Sequence, residues 1–470
     1  MTAPFPDHPQ LTGNYAPLRL EGEARDLVVR GRIPAELDGT LFRIGPNPQY
    51  PPRDRQHHWF AGDGMVHAFR IRDGRVDWFN RWVRTPKFEL ERAAGEALFG
   101  TFGNPMTTAD AAQGKDSGLA NTNIVWHAGR LLALEEAHPP FEVDPADLSS
   151  KGYWDFGGGL TGGRMTAHPK MDPETGEMIF FAYSVGGYFT DRLSYHVVAA
   201  DGTVTQAATF AAPYPAMIHD FLVTREHVVF PVLPLTGSLE RAMSGRPPFA
   251  WEPEKPGWLG VLKRGEHPEM TRWIEIPPCY VFHPMNAFDD GGTIVADVMK
   301  YEAAPLFPHA DGTPGDPEKA TARLVRWTID PAKDSVAEAE LDDRPAEFPR
   351  LDERRAGLGY RHGWFAAVGE RRRGDRGVWT EIVHVDLKQK RRAIFSDGAA
   401  HQVSEPVFVP RTADADEGDG WVLFNVYRAE ENRSDLVILD AQNVDGEPVA
   451  VAEIPCRVPH GFHGNWVPGA

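Results

Sequence analysis

Again and again along this chain an alternating apolar run stops at a short turn and a second run begins. The stretch MVHAFRIRDGRVDWFNRWV breaks at Asp73-Gly74, and NIVWHAGRLLALEE breaks at Ala128-Gly129. YHVVAADGTVTQAATF turns at Asp201-Gly202 and MNAFDDGGTIVADVM near Gly291-Gly292, and VWTEIVHVDLKQKRRAIF and GWVLFNVYRAEENRSDLVILDAQ continue the pattern. Alternation with period two puts apolar side chains on one face of a strand, and Asp-Gly between two such runs supplies a tight hairpin turn. A chain of such units is expected to be all-β: a sandwich, a barrel or a propeller. One helix is expected in KFELERAAGEALFG, where Phe88, Leu90, Ala94, Leu98 and Phe99 make a partial helical stripe. No Pro/Gly/Ser-rich linker separates the hairpins, so the chain is read as one large domain. Seven propeller blades of roughly 40–50 residues fit within it and leave a surplus for insertions, yet the letters themselves show no repeat.

Hydrophobic content of 41%, with 13 tryptophans and 26 phenylalanines, supplies a large core. A net charge of -18 argues against nucleic acid, because nothing would neutralise phosphates. The one basic run, Arg371, Arg372, Arg373 and Arg376, is interrupted by Asp375 and reads as a solvated hairpin tip. Cys279 and Cys456 are the only cysteines, which excludes a disulfide scaffold. The N-terminal MTAPFPDHPQ has neither a basic nor an apolar signal region, and no apolar run is long enough to span a bilayer. A cytoplasmic location is the expectation.

Three motifs are set aside. GGGLTG at 157–162 fits a dinucleotide fingerprint but lacks a helix behind it. AYSVGG has Ala182 where a nucleophile elbow needs glycine, and DADEGDG lacks the glutamate that closes a calcium loop.

Four histidines share a setting that the others lack. TAHPK holds His168, MIHDF His219, VFHPMN His283 and GFHGNW His463, each at the edge of a strand-like run beside Pro, Asp or Gly. Ligands so dispersed can meet only if strands from several parts of one domain point to a common place. From the residues alone, that reading stands beside four ordinary half-buried histidines. Cys279, four residues before His283, raises a Cys/His zinc site, but no CxxC partner accompanies it. The tail RVPHGFHGNWVPGA poses the same question in small: its glycines and tryptophan suit a segment pinned inside the molecule, not a frayed end.

These four contexts, with FAGDGMVHAFRI near residue 60, SLERAMSGRPPFAWEPEK and SEPVFVPR near residue 405, resemble the carotenoid cleavage oxygenase family. The similarity is greatest to its bacterial branch of lignostilbene dioxygenases and isoeugenol monooxygenase. It runs from about residue 14 to the end, leaving 1–13 as an N-terminal extension and 14–470 as a single β-propeller oxygenase domain. The resemblance implies a seven-bladed β-propeller with Fe(II) on its axis under a dome of loops and helices. His168, His219, His283 and His463 match the family's iron ligands. Glu136, Glu347 and Glu405 match the outer carboxylates that would hold His219, His283 and His463, which leaves His168 without one. Thr122 in ANTN matches a threonine beside the iron, and His460 falls outside the matching HGNW.

The implied reaction is cleavage of a conjugated C=C bond by O2 to two carbonyl products, without flavin or nicotinamide. The implied partners are therefore a small apolar alkene and O2, with no protein partner. In phenol-cleaving members of the branch a tyrosine and a lysine bind the substrate hydroxyl; this chain has Phe102 and Glu135 at those places. Both departures favour an apocarotenoid, while the overall similarity favours a stilbenoid or phenylpropenoid; the expectation leans to the apocarotenoid. A catalytically inactive propeller used as a binding scaffold, and an isomerase or ester-cleaving branch that consumes no oxygen, are the rival readings. PVLPLTGSLERAMSGRPPF reads either as an entrance lip with Leu233, Leu235, Leu239 and Met243 against a membrane, or as a loop packed on the dome.

Overall fold

The computed structural model describes residues 4–54, 57–100, 105–369 and 378–470; Phe102 and the arginine run at 371–376 lie outside them. Among the described residues are seven antiparallel sheets of four or more strands, plus one two-stranded ribbon. The fold is a seven-bladed β-propeller. The hairpins fall where the turn residues put them: Asp73 and Gly74 have φ 51° and 71°, Ala128 and Gly129 48° and 76°, each pair joining two antiparallel strands.

The chain divides into two compact units. The first holds residues 1–154, 369–383 and 393–470. Its defining sheet runs Gly22–Ala24, Arg75–Trp82, Gly64–Arg72, Gly39–Pro46 and Gly464–Pro468 in spatial order, so the last strand of the chain lies against one of the first. Alternation within Gly39–Pro46 serves two cores. Leu41 packs with Val407, Leu423 and Ile438 on one side, whereas Phe42 and Ile44 pack with Ile124, Leu131 and Phe141 on the other. Val29–Gly31 joins Ala450–Glu453, a second link between early and late chain. Those two strands belong to a six-stranded sheet with Arg433–Asp440, Gly420–Arg428, Gln402–Val403 and Val407–Pro410, and the third sheet wholly in this unit runs Asn123–His127, Arg130–Leu134, Phe141–Val143 and Ser150–Tyr153.

The second unit, 155–368 with 384–392, contains three four-stranded sheets. They begin at Lys170–Met171, Leu222–Val223 and Tyr280–Asp290, and each runs through its strands in chain order. A further sheet begins at Ala346–Leu351 and continues through His362–Ala367, Glu381–Asp386 and Arg391–Ser396.

The expected helix is shorter than its apolar pattern. Helix α1 spans Pro86–Ala94, opened by Thr85, whose hydroxyl accepts the Phe88 N–H at 3.2 Å, and by proline in its first turn. Gly95 at φ 76° ends it, so Leu98 and Phe99 lie beyond the helix. Its buried face is Phe88 with Lys87 and Glu91, and Ala94 is exposed. The reading of 231–249 also needs correction. Leu233 and Leu235 are buried and cannot serve as an outward lip, while Leu239 and Met243, on the short helix α2 (Leu239–Met243), are exposed. Among the described residues no helix is long and apolar enough to cross a membrane.

Candidate metal centre

Three of the four histidines stand just ahead of a strand. His168 immediately precedes the strand region Lys170–Met171, His219 precedes Leu222–Val223, and His463 precedes Gly464–Pro468. His283 lies inside Tyr280–Asp290, but there the ladder is broken by register shifts between Val281 and Pro284 and between Pro284 and Asn286. Proline cannot donate to a ladder, and a bulge re-aims the neighbouring side chain; VFHPMN is the sequence of such a bulge. Glu347 stands at an equivalent break, between Glu347 and Arg350, with Phe348 at φ 56°.

The side chains of these dispersed residues come together. The candidate ligand atoms of His168, His219, His283 and His463 all lie within 4.8 Å of one another. The Nε2 atoms of His168 and His219 are 3.0 Å apart, and those of His219 and His283 3.1 Å. All four residues are buried. His460, also buried, contacts Gln402 Oε1 at 2.6 Å and is not part of the group; neither is Cys279, whose thiol is pushed up to about 12 by burial.

Glu347 and Glu405 each reach one of these rings. Glu347 Oε2 is 2.5 Å from His283 Nδ1 and also accepts the Phe348 N–H at 2.7 Å, while Glu347 Oε1 accepts the Tyr301 hydroxyl at 2.8 Å. Burial alone would raise the Glu347 carboxyl, but His283 and these donors together hold it below the usual carboxylate range. Burial, and next the Glu347 charge, drive the Tyr301 phenol well up, so it remains a donor. Glu405 Oε1 is 2.9 Å from His463 Nδ1, and its Oε2 accepts the Gly464 N–H at 2.8 Å. Glu136 is half-buried, just past the end of Arg130–Leu134. Thr122 is half-buried at the start of Asn123–His127, its hydroxyl donating to Asn121 Oδ1 at 2.9 Å.

Sequence reasoning missed several neighbours. The expectation gave His168 no carboxylate, yet Asp220 Oδ2 lies 3.7 Å from its Nδ1, a charge contact too long for a hydrogen bond. Asp220 is itself held by Lys170 at 2.7 Å and by the Phe221 N–H at 2.6 Å. Both residues stand inside the motifs already singled out, MIHDF and TAHPK. Tyr301 gave no local signal, because its partner is 46 residues away in sequence.

Glu135, buried, is committed locally. It accepts the Leu119 N–H at 3.1 Å and pairs with His138. Nearby, the Tyr153 hydroxyl donates to Asp116 at 2.8 Å; burial first, then Asp116 and Glu135, push that phenol's pKa upward.

The donor set fits a transition-metal ion. Each Nδ1–H given to a carboxylate leaves the Nε2 lone pair of that ring available. An ion bonded to two imidazole nitrogens at ~2.1 Å and at right angles puts them ~3.0 Å apart, the spacing found here between consecutive rings. Without a cation, His219 Nε2 could satisfy at most one of its two neighbours with a single proton.

Fold and site together define a β-propeller that gathers four imidazoles from separate sheets at one point. The sequence matches the family described as retinal pigment epithelial membrane protein over residues 15–468. It is 40% identical to isoeugenol monooxygenase of Pseudomonas nitroreducens, over 98% of both chains. Lignostilbene dioxygenase of Pseudomonas brassicacearum superposes over 100% of both chains with a TM-score of 0.96 at 37% identity. The cobalt-substituted apocarotenoid oxygenase of Synechocystis has a TM-score of 0.86 at 30% identity, covering 97% of this chain and 98% of that one. The chain belongs to this family, that of the carotenoid cleavage oxygenases, and is an oxygenase of that type.

Proposed function

We propose that residues 14–470 form one Fe(II)-dependent dioxygenase domain that cleaves the side-chain double bond of a stilbenoid or phenylpropenoid. One O2 adds across the alkene carbons and two carbonyl compounds leave, so no external reductant is required. The four-histidine group with its carboxylates is the observation that supports this reading. Imidazoles alone suit several metals; iron is chosen because this chemistry requires a redox-active ion, which, when bound, activates dioxygen. His168, His219, His283 and His463 would hold it.

The remaining work falls to the chain itself. Glu347 and Glu405 fix the tautomers of His283 and His463 through Nδ1 and keep the rings aimed; Glu136 is assigned the same role toward His219. The Phe348 ring stacks over His283 at 5.6 Å and Phe282 lies edge-on to His219 at 4.9 Å, an apolar wall that keeps water from the nitrogens. Thr122 is assigned to the rim of the metal site. No side chain need donate a proton for the cleavage.

The substrate assignment departs from the lean towards apocarotenoids. That lean rested on Phe102 and Glu135. Phe102 lies outside the described residues, and the Glu135 carboxylate is engaged by His138 and the Leu119 N–H, so it presents no bare charge to a phenolate. The relatives described above that are named for isoeugenol and lignostilbene stand at 37–40% identity, whereas the apocarotenoid oxygenase stands at 30%. The test is aerobic incubation of the purified, iron-analysed protein with isoeugenol, a 4-hydroxystilbene and an apocarotenal, with aldehyde products identified by mass spectrometry. Aldehydes from the first two, with kcat/KM at least ~10-fold above the apocarotenal, are expected. Preference for the apocarotenal overturns the substrate assignment, and a protein that binds no stoichiometric iron overturns the reaction.

A further inference from the structure

We infer that Arg43 is a positioning residue for the metal centre: its guanidinium locks the His463-bearing tail and the Glu405 turn into one rigid unit that aims His463. The inference rests on the reading of His463 as a ligand. Arg43 is 3% exposed, in the strand Gly39–Pro46, on the face it shares with Leu41. That face looks toward Val407 and Val409, just beyond Glu405. The guanidinium reaches two separate segments at once. One nitrogen donates to the Glu405 carbonyl at 3.1 Å and the other to the Phe462 carbonyl at 3.3 Å.

These bonds close a circuit. Glu405 joins His463 Nδ1 and the Gly464 N–H through its carboxylate, while Arg43 joins the Glu405 carbonyl to that of the residue preceding His463. The same strand holds the tail by its backbone: Ile44 N–H donates to the His463 carbonyl at 2.9 Å, and Phe462 N–H to the Ile44 carbonyl at 3.0 Å. Glu405 needs such a tie because it lies in an irregular turn between Gln402–Val403 and Val407–Pro410. A planar fork presents two N–H donors in fixed directions to carbonyls of different segments, whereas lysine's rotatable ammonium on a flexible stem holds them less rigidly. Gly464 makes room for the fork, since a Cβ there would stand 2.7 Å from Arg43 Cγ and 2.6 Å from the Phe42 carbonyl oxygen.

Full-length wild type, Arg43→Gln and Arg43→Lys are stripped of metal and titrated anaerobically with Co(II), reading the visible cobalt band, with circular dichroism as the fold control. Arg43→Gln should lose about 10–100-fold in cobalt affinity and show a shifted band, with Arg43→Lys between it and wild type. In a His463→Ala background the Gln substitution should add no further loss, because it acts through that ring. Affinity within twofold of wild type with an unshifted band overturns the inference. So does an undiminished loss in the His463→Ala background, which would mark Arg43 as structural only. If Arg43→Gln does not fold, Arg43→Lys decides by the same two criteria. Failure of wild type to bind Co(II) would instead strike at the metal centre itself.

Discussion

An imidazole can hold a metal only through a bare nitrogen, so the destination of its other proton decides whether it serves. At His283 that proton meets Glu347, which has two further donors, the Tyr301 hydroxyl and the Phe348 N–H. Replacing Glu347 by Gln keeps the volume but removes the charge that selects the tautomer, and should lower iron affinity ~10–100-fold. Tyr301→Phe leaves the charge that selects the tautomer in place and removes only one of the carboxylate's two other donors. Its effect on iron affinity should therefore be smaller than that of Glu347→Gln, and iron titration of the two apo variants checks the order. Equal losses would mean that Tyr301, not the charge, sets the ring. The four histidines were legible as candidates because each carries its own neighbours, Pro, Asp or Gly, within a few residues, but only the family resemblance chose a shared site over four half-buried histidines. Tyr301, Arg43 and the contact of Asp220 with His168 were not, because those pairings are made by the fold across tens to hundreds of residues.

Elements were legible where a local rule acts alone. Asp73-Gly74 and Ala128-Gly129 turn with a positive φ at both residues and Asp201-Gly202 with one at its glycine, the conformations that short hairpin turns need. The helix shows the limit: its apolar spacing continues to Phe99, but Gly95 stops the backbone at Ala94. What buries its face is an ion cluster that hydrophobic patterning cannot show. Lys87 Nζ lies 2.8 Å from Asp63 and 2.7 Å from Glu91, all three buried. Burial would lower the lysine's pKa, but the two carboxylates outweigh it and raise it, so the ammonium persists. Glu91 also accepts the N–H groups of Leu98 and Phe99 at 2.8 and 3.1 Å, tying the loop after the helix to the same cluster. Lys87→Met keeps the stem but leaves two buried carboxylates without their cation. It should cost ~3–5 kcal/mol, read as a loss of stability in denaturant unfolding. A change below ~1 kcal/mol would mean that water reaches the carboxylates and satisfies them.

At the scale of the whole molecule, the repeat absent from the letters is present in positions. Thr122, His168, His219, His283, Glu347, Glu405 and His463 each lie in or next to a strand of a different one of the seven sheets. They recur at roughly 45–65 residues, a blade of about 40–50 residues with its insertions. Seven sheets can share so little sequence because each needs only alternation and turns, which many residues satisfy. The tail then has two separable duties. Gly464–Pro468 pairs with Gly39–Pro46, Arg43 opposite Gly464 and Leu41 opposite Trp466, while Trp466 and Val467 join the two cores flanking that strand. His463 adds a ligand and a buried contact to Glu405. His463→Ala should therefore lose metal while lowering the Tm of the apo protein far less than loss of the strand does. Deleting residues 461–470 should lose metal and lower the Tm much further, since it strips a strand, opens a sheet edge and forfeits buried Val467 and half-buried Trp466. Thermal unfolding of the two apo variants beside wild type reads the difference, with size-exclusion chromatography reporting association through the opened edge. An apo Tm for the deletion equal to that of His463→Ala would show that the closing strand contributes nothing beyond its histidine.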